Sequence, residues 1–250
     1  MRRRITTMMR IIPTHTIPGT DGMDMVLLAR LLQFSDSTLP IGSFAFSQGL
    51  ESALQTGRVS DAASLGQYVE VLLRQSAHMD GIALLHAHRA AVAGDYEAVC
   101  QADHALWERR IGEEQQLMLA RMGRKFAELS LKIGDFPLLA VWLADIKRGA
   151  VPGCFPVAQA IALAQMHAGE AEAFTLQHYG VASMVLSAAL RLMRIDHLDT
   201  QRILYAQQEK VAGHYHAVRD LALEEMSGFA PVFDVLVAHH TKTHLRLFMN

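Results

Sequence analysis

Apolar residues recur along this chain mostly at intervals of three and four, the spacing of one face of a helix. No sustained alternation of β-branched residues occurs, and no Asn-Gly or Asp-Gly turn joins two such runs, so strands are not expected. The pattern predicts helices over residues 25–34 and 44–56, the second closed by Gly57. Ser60 is placed as the N-cap of a helix to 77, on which Leu65, Tyr68, Val69, Leu72 and Leu73 share one side, and Asp80 caps a separate helix to 93. Gly94-Asp95 divides this from a segment through 110. Residues 113–133 form one long helix stopped by Gly134, and Asp135-Phe136-Pro137 opens the next. After an irregular stretch at 149–156, Pro156 opens a helix to 168. Residues 170–194 are apolar nearly all round, which predicts a buried helix acting as the hub. An amphipathic helix over 200–226 and a last segment over 232–248 complete an all-α, single-domain bundle of nine or ten helices around a buried central helix.

Composition narrows the function classes. With 51% hydrophobic and 19% charged residues the 250-residue chain can bury one substantial core and has apolar surface to spare. A formal charge of −2 with mixed signs leaves no extended basic face, so a nucleic-acid binder is not expected. Residues 1–22 carry four Arg against one Asp and read as a flexible tail ahead of a helical domain over 23–250, with Met23 or Met25 equally good starts. Arg10, Pro13 and His15 interrupt any signal-peptide core, and the most apolar run, 181–190, is far shorter than a membrane span. Two cysteines, Cys100 and Cys154, give neither a disulfide framework nor a CxxC pair, which fits the cytosol.

Enzyme signatures are missing where they would be recognisable. There is no GxxxxGK[ST], so intrinsic GTP or ATP hydrolysis is not expected, and no GxGxxG follows a strand. Residues 45–49, AFSQG, miss GxSxG at their first position and have no strand from which Ser47 would project. Among the 13 histidines, His86 with His88 and His214 with His216 are two apart and point to separated sides of a helix. His240 and His244 lie four apart and can share a face, but Asp234 and His239 are not positioned as a third ligand. Imidazoles near a helix C-terminus, favoured by its dipole when protonated and otherwise solvated, are the preferred account of them over a tight metal site.

The least ordinary stretch is 35–51, SDSTLPIGSFAFSQGLE, which sets Pro, Gly and two aromatics inside a helical chain. It either packs as a plug, with Phe44 and Phe46 stapling the loop to the bundle, or forms a contact surface. Within it, LPIGSFAFSQGLE resembles the signature of the UreF family of urease accessory proteins, Leu-Pro-(Ile/Val)-Gly-x-(Phe/Tyr)-x-x-Ser-x-Gly-(Leu/Val)-Glu. Asp234, His240 and Arg246-Leu247-Phe248 are similar to that family's closing pattern, with Thr241 and Thr243 departing from its Glu and Leu. Met122-Gly123-Arg124 and residues 156–164 also fall where the family has comparable runs, so the resemblance spans 25–250.

The resemblance implies an all-helical, usually dimeric, non-enzymatic adaptor without a cofactor. It would stand between UreD (also called UreH) and the GTPase UreG in a complex delivering nickel to apo-urease. Its implied partner-binding residues are Pro40, Gly42, Phe44, Phe46, Gln48, Glu51, His240, Arg246 and Phe248. Phe44 and Phe46 would anchor the contact, Pro40 and Gly42 would set the backbone, and Glu51 would bring charge to the rim. Arg124, Arg191 and Arg246 are candidates for a guanidinium lent to the GTPase. Two rival classes are a helical enzyme using His and Asp, for which no constellation is present, and a small-molecule-binding helical regulator, which lacks a DNA-reading basic helix.

Overall fold

The structure is a computed structural model that describes residues 24–36, 39–42 and 46–228. Eleven α-helical segments and no strand occur among the described residues: α1 (Met25–Ser35), α2 (Leu50–Gln55), α3 (Ala62–Ser76), α4 (Ile82–Ala93), α5 (Tyr96–Arg109), α6 (Glu113–Ile133), α7 (Pro137–Lys147), α8 (Phe155–Gln165), α9 (Glu170–Leu192), α10 (His197–Gln208) and α11 (Val211–Val218). Because α3 and α4 run into each other through a π-helical turn, Ala77–Gly81, the described residues make ten separate helical runs. Their starts follow local chemistry. Asp24, Asp61, Asp95 and Asp196 each accept a backbone N–H of the first turn, satisfying donors that have no partner inside the helix.

Four boundaries differ from those expected. Asp61 rather than Ser60 caps α3, its carboxylate taking the Ser64 N–H at 2.8 Å. Asp80 does not cap a new helix. It is buried inside the π-turn, where Arg110 at the end of α5 neutralises it, and the backbone therefore passes through unbroken. The helix expected over 44–56 shrinks to α2, because Gln48 and Gly49 have φ of 54° and 78° and cannot continue a right-handed helix. The amphipathic run expected over 200–226 divides at Glu209 and Lys210 into α10 and α11, followed by a single 3-10 turn, Leu223–Glu225. The break turns α11 so that Tyr215 donates to Glu170 at 2.6 Å and His214 meets His178.

Two hydrophobic clusters organise the interior. The larger joins α4, α5, α6, α7 and α8, with Phe126, Leu139, Trp142 and Phe174 among its fully buried side chains. The smaller is built from α2, α3, α10 and the second half of α9. The helix buried all round is α8, whose residues from Pro156 to Ala164 are all buried, rather than the expected 170–194. α8 carries no charge, whereas α9 turns Glu172, Thr175 and Tyr179 toward the surface. α9 contributes Ala173 and Phe174 to the larger cluster and Ala182, Val185, Leu186, Ala188 and Ala189 to the smaller, so it links the two.

A buried carboxylate fixes where α8 begins. Asp103 on α5 accepts the backbone N–H of Gly153 at 3.0 Å and of Cys154 at 2.8 Å, and the indole N–H of Trp142 at 3.1 Å. Burial pushes its carboxyl above the usual range while these donors pull it back. On the opposite side of the same junction, Gly123 of α6 lies so near the chain that a Cβ there would come 2.1 Å from the Gly153 carbonyl oxygen.

The end of the described chain is tied to α4 and α9. Arg89 bonds Glu170 through Nε at 2.5 Å and through Nη2 at 3.1 Å, and its Nη2 also reaches the Arg219 carbonyl at 2.7 Å. His86 donates to the Leu221 carbonyl at 2.8 Å. Nearby, His178 and His214 place Nε2 and Nδ1 3.0 Å apart, one donating to the other. Burial, reinforced by His214, lowers His178 from the ordinary 6.5 to about 4. Below pH 6.5 the unfolded chain therefore takes up a proton that the folded chain refuses, so stability is whole above 6.5 and falls toward 4. This group should cost about 2 kcal/mol between roughly pH 7 and 5. Urea midpoints across that range are expected to decline less steeply in His178→Gln, and equal slopes would place the acid sensitivity elsewhere.

Candidate functional site

The loop after α1 is shaped by two tight turns. Across Pro40, the Ile41 N–H returns to the Leu39 carbonyl at 2.7 Å, a three-residue turn to which the fixed proline φ is suited. Gly42 follows at φ 88°, a conformation open to glycine at little cost. The second turn spans Ser47 to Leu50, closed by the Leu50 N–H on the Ser47 carbonyl at 3.1 Å with both central residues at positive φ. Gly49 suits this geometry and Gln48 does not, so something must hold Gln48 in place. Tyr68 of α3 donates its hydroxyl to the Gln48 carbonyl at 2.7 Å, and burial keeps that hydroxyl protonated by raising its pKa far above 10. The side-chain amide of Gln48 points between two thioethers, 3.5 Å from Sδ of Met118 on α6 and 3.6 Å from Sδ of Met184 on α9.

Beneath this turn lies a cavity of about 80 Å³, lined among others by Phe34, Ile41, Gln48, Met118, Gln159 and Met184. Its polar bed is a chain of contacts: Arg110 to Asp80, Ser76 to Asp80 at 3.0 Å, and Gln177 to Ser76 at 2.9 Å. Gln159 is 3% exposed, and its carbonyl oxygen has no partner among the described residues.

The structure brings Pro40, Gly42, Phe46, Gln48 and Glu51 into one loop and the helix start that follows it, with different exposures from those expected. Pro40 and Gly42 are at the surface. Phe46 is 3% exposed, so in this chain its ring staples the loop to the larger core instead of projecting as an anchor. Glu51 is 5% exposed and lies within the first turn of α2, not at a rim. Ser47 is fully buried, which removes it as a nucleophile. Phe44, Asp234, His240, His244, Arg246 and Phe248 lie outside the described residues. Arg124 is at the surface, with Nε 2.9 Å from Glu128.

Tyr68, Met118, Met184, Asp80 and Arg110 hold this site, and the sequence reading gave none of them that role: it placed Tyr68 on a core face and Asp80 at a helix cap. Tyr68 reads there as one more apolar position of α3. The Asp80–Arg110 pair joins residues 30 positions apart, and no local pattern announces it. Tyr68→Phe would leave the half-buried Gln48 carbonyl short of a donor and should cost about 1 kcal/mol. Hydrogen exchange at the Leu50 amide should quicken with it; unchanged protection would mean that other contacts hold the turn.

Among the described residues, the thiols and the His86 and His88 imidazoles are not set up for covalent or metal chemistry. Burial raises both thiols, Cys154 well above its ordinary range, so neither is a ready nucleophile. His86 and His88 donate to backbone carbonyls, and no group of three or more His, Cys, Asp or Glu among the described residues is arranged to hold a metal ion. No helix among them is long and apolar enough to cross a membrane.

Fold and site together define an all-helical protein in which the turn at Gln48, ahead of α2, is held onto the bundle by Tyr68, Met118 and Met184. Residues 59–208 match the family model named UreF. Proteins described as "Urease accessory protein UreF" from Yersinia pseudotuberculosis serotype IB (strain PB1/+) and Yersinia enterocolitica serotype O:8 / biotype 1B (strain NCTC 13174 / 8081) are each 44% identical over 223 residues, covering 89% of this chain and 98% of theirs. The Yersinia pestis protein of that description has the same identity and coverage. The chain belongs to the UreF family of urease accessory proteins.

Proposed function

We propose that this chain is a non-enzymatic adaptor of urease maturation in the cytosol, joining UreD (UreH) to the GTPase UreG so that nickel, as cargo, reaches the apo-urease. The observation that carries this reading is its 44% identity over nearly the full length of proteins described as urease accessory proteins. The missing phosphate-binding loop and the buried Ser47 agree with a role without catalysis of its own. A homodimer fits the family resemblance, and any influence on the GTPase would be exerted through contact.

The test is co-purification from cells expressing this chain with UreD, UreG and the urease subunits. Tagged protein should retain UreG only when UreD or this chain's own surface is intact, and urease activation should fail in its absence. Full activation in cells lacking the chain would sink the reading.

A further inference from the structure

α1 is apolar nearly all round, with eight of its eleven residues hydrophobic, yet only Leu31 and Phe34 are buried. A helix of that composition is ordinarily covered on every side. Met25, Leu28 and Leu32 are 77%, 40% and 62% exposed, and at intervals of three and four they form a ridge along its outer face. Beside the ridge, α1 and α9 flank a groove of two successive hollows, about 390 and 410 Å³, which share Leu32, Ser35, Thr175 and Leu176. The groove follows α9 from Ala171 to Ala182, about 16 Å at 1.5 Å per residue, and the eleven residues of α1 have the same length. Of the described residues that line it only Glu172 is charged, since burial keeps His178 neutral at pH 7. Gln207 closes the far end. It is 5% exposed, its amide N–H reaches the Gly66 carbonyl at 3.2 Å, and its own carbonyl oxygen has no partner among the described residues.

We propose that this face joins two copies of the chain about a two-fold axis, the ridge of Met25, Leu28 and Leu32 on each copy seated in the groove between α1 and α9 of the other. The inference deepens the homodimer of the adaptor reading and rests on it for no other point. A two-fold contact sets the same patch on both sides, so the patch must complement itself, and a ridge lying beside a groove of its own length and character does so. Two helices of eleven residues seated in this way cover on the order of 700 Å² of each copy, near the roughly 800 Å² of a stable interface. A charged partner segment would find one carboxylate to answer it, and a lipid surface would cover the ridge while leaving both hollows wet. A second copy fills ridge and groove together.

The test is sedimentation equilibrium of the full chain between about 1 and 100 μM. The unaltered chain should sediment as a dimer of 27.6 kDa protomers, with a Kd of about 1 μM or tighter. Leu32→Glu on the ridge and Thr175→Arg in the groove should each weaken the dimer by at least about tenfold, with helical content kept. Val92→Glu, at an exposed apolar position of α4 outside the groove, should leave it unchanged. An equimolar mixture of the Leu32→Glu and Thr175→Arg chains should dimerise better than either alone, because the introduced carboxylate then meets the introduced guanidinium across the contact. If Leu32→Glu fails to fold, Thr175→Arg on the exposed side of α9 decides the matter. A dimer indifferent to Thr175→Arg would overturn this face while the homodimer stands. A monomer at 100 μM would overturn both, whether the face then binds phosphatidylcholine vesicles, retains a maturation partner that Leu32→Glu loses, or covers another segment of its own chain. The adaptor reading is judged separately by co-purification, which Thr175→Arg need not disturb.

Discussion

Gly123→Ala is expected to destabilise the protein by about 4 kcal/mol, at the high end for a single substitution. Helix propensity alone argues the opposite sign, since alanine is favoured over glycine by about 1 kcal/mol inside a helix. Contact decides the matter. The added methyl would lie 2.1 Å from the Gly153 oxygen and 2.9 Å from both the Cys154 carbonyl carbon and the Phe155 nitrogen, all backbone atoms with no rotamer to yield. α6 must then part from the start of α8, and the buried face around Met122 and Phe126 opens with it. Gly180→Ala on α9 is the matched control, because a Cβ there meets nothing within 4 Å, and it should stabilise by about 0.5–1 kcal/mol. Urea denaturation of the two variants checks both signs; a neutral Gly123→Ala would show that the two helices have room to separate.

Asp103→Ala should cost about 3–5 kcal/mol. The carboxylate is fully buried and satisfies three N–H groups, from Gly153, Cys154 and Trp142, and each donor left alone in the interior costs about 1–3 kcal/mol. The negative charge also faces the N-terminal end of α8, where the helix dipole favours it. Asp103→Asn keeps the shape but turns an amide N–H toward a donor, so it should fall between alanine and the natural residue. Near-ultraviolet circular dichroism of Trp142 would register the loosened indole. A loss under about 1 kcal/mol in Asp103→Ala would mean that the 153–154 turn finds other acceptors.

Helix identities were legible wherever a boundary was local. α6 begins and ends as read because Gly112 and Gly134 flank it, and α7 begins at Pro137 because proline suits a first helical turn. Boundaries set by distant groups were not legible. Asp80 reads as a cap until Arg110 arrives from α5, and Gln48 reads as helical until Tyr68 and the two methionine sulfurs stabilise its positive φ. The same limit applies to the site. Its motif could be read, but the inward course of Phe46 and Glu51 depends on cores assembled from helices far along the chain. The choice of α8 as the buried axis was equally hidden, since a short uncharged helix and a long one with a few polar positions give similar apolar runs.

The π-turn at Ala77–Gly81 gives the run from Ala62 to Ala93 a mechanical character. Up to Leu73 its apolar stripe serves the smaller cluster, and from Ala77 onward the larger. One residue is about 100° of rotation on an α-helix, so widening a single turn re-aims the stripe without breaking the backbone ladder. A loop at that point would act as a slack joint. Here the shaft is continuous, so the helix that holds the Gln48 turn through Tyr68 and the helix packed against α8 are one rod rather than two hinged pieces.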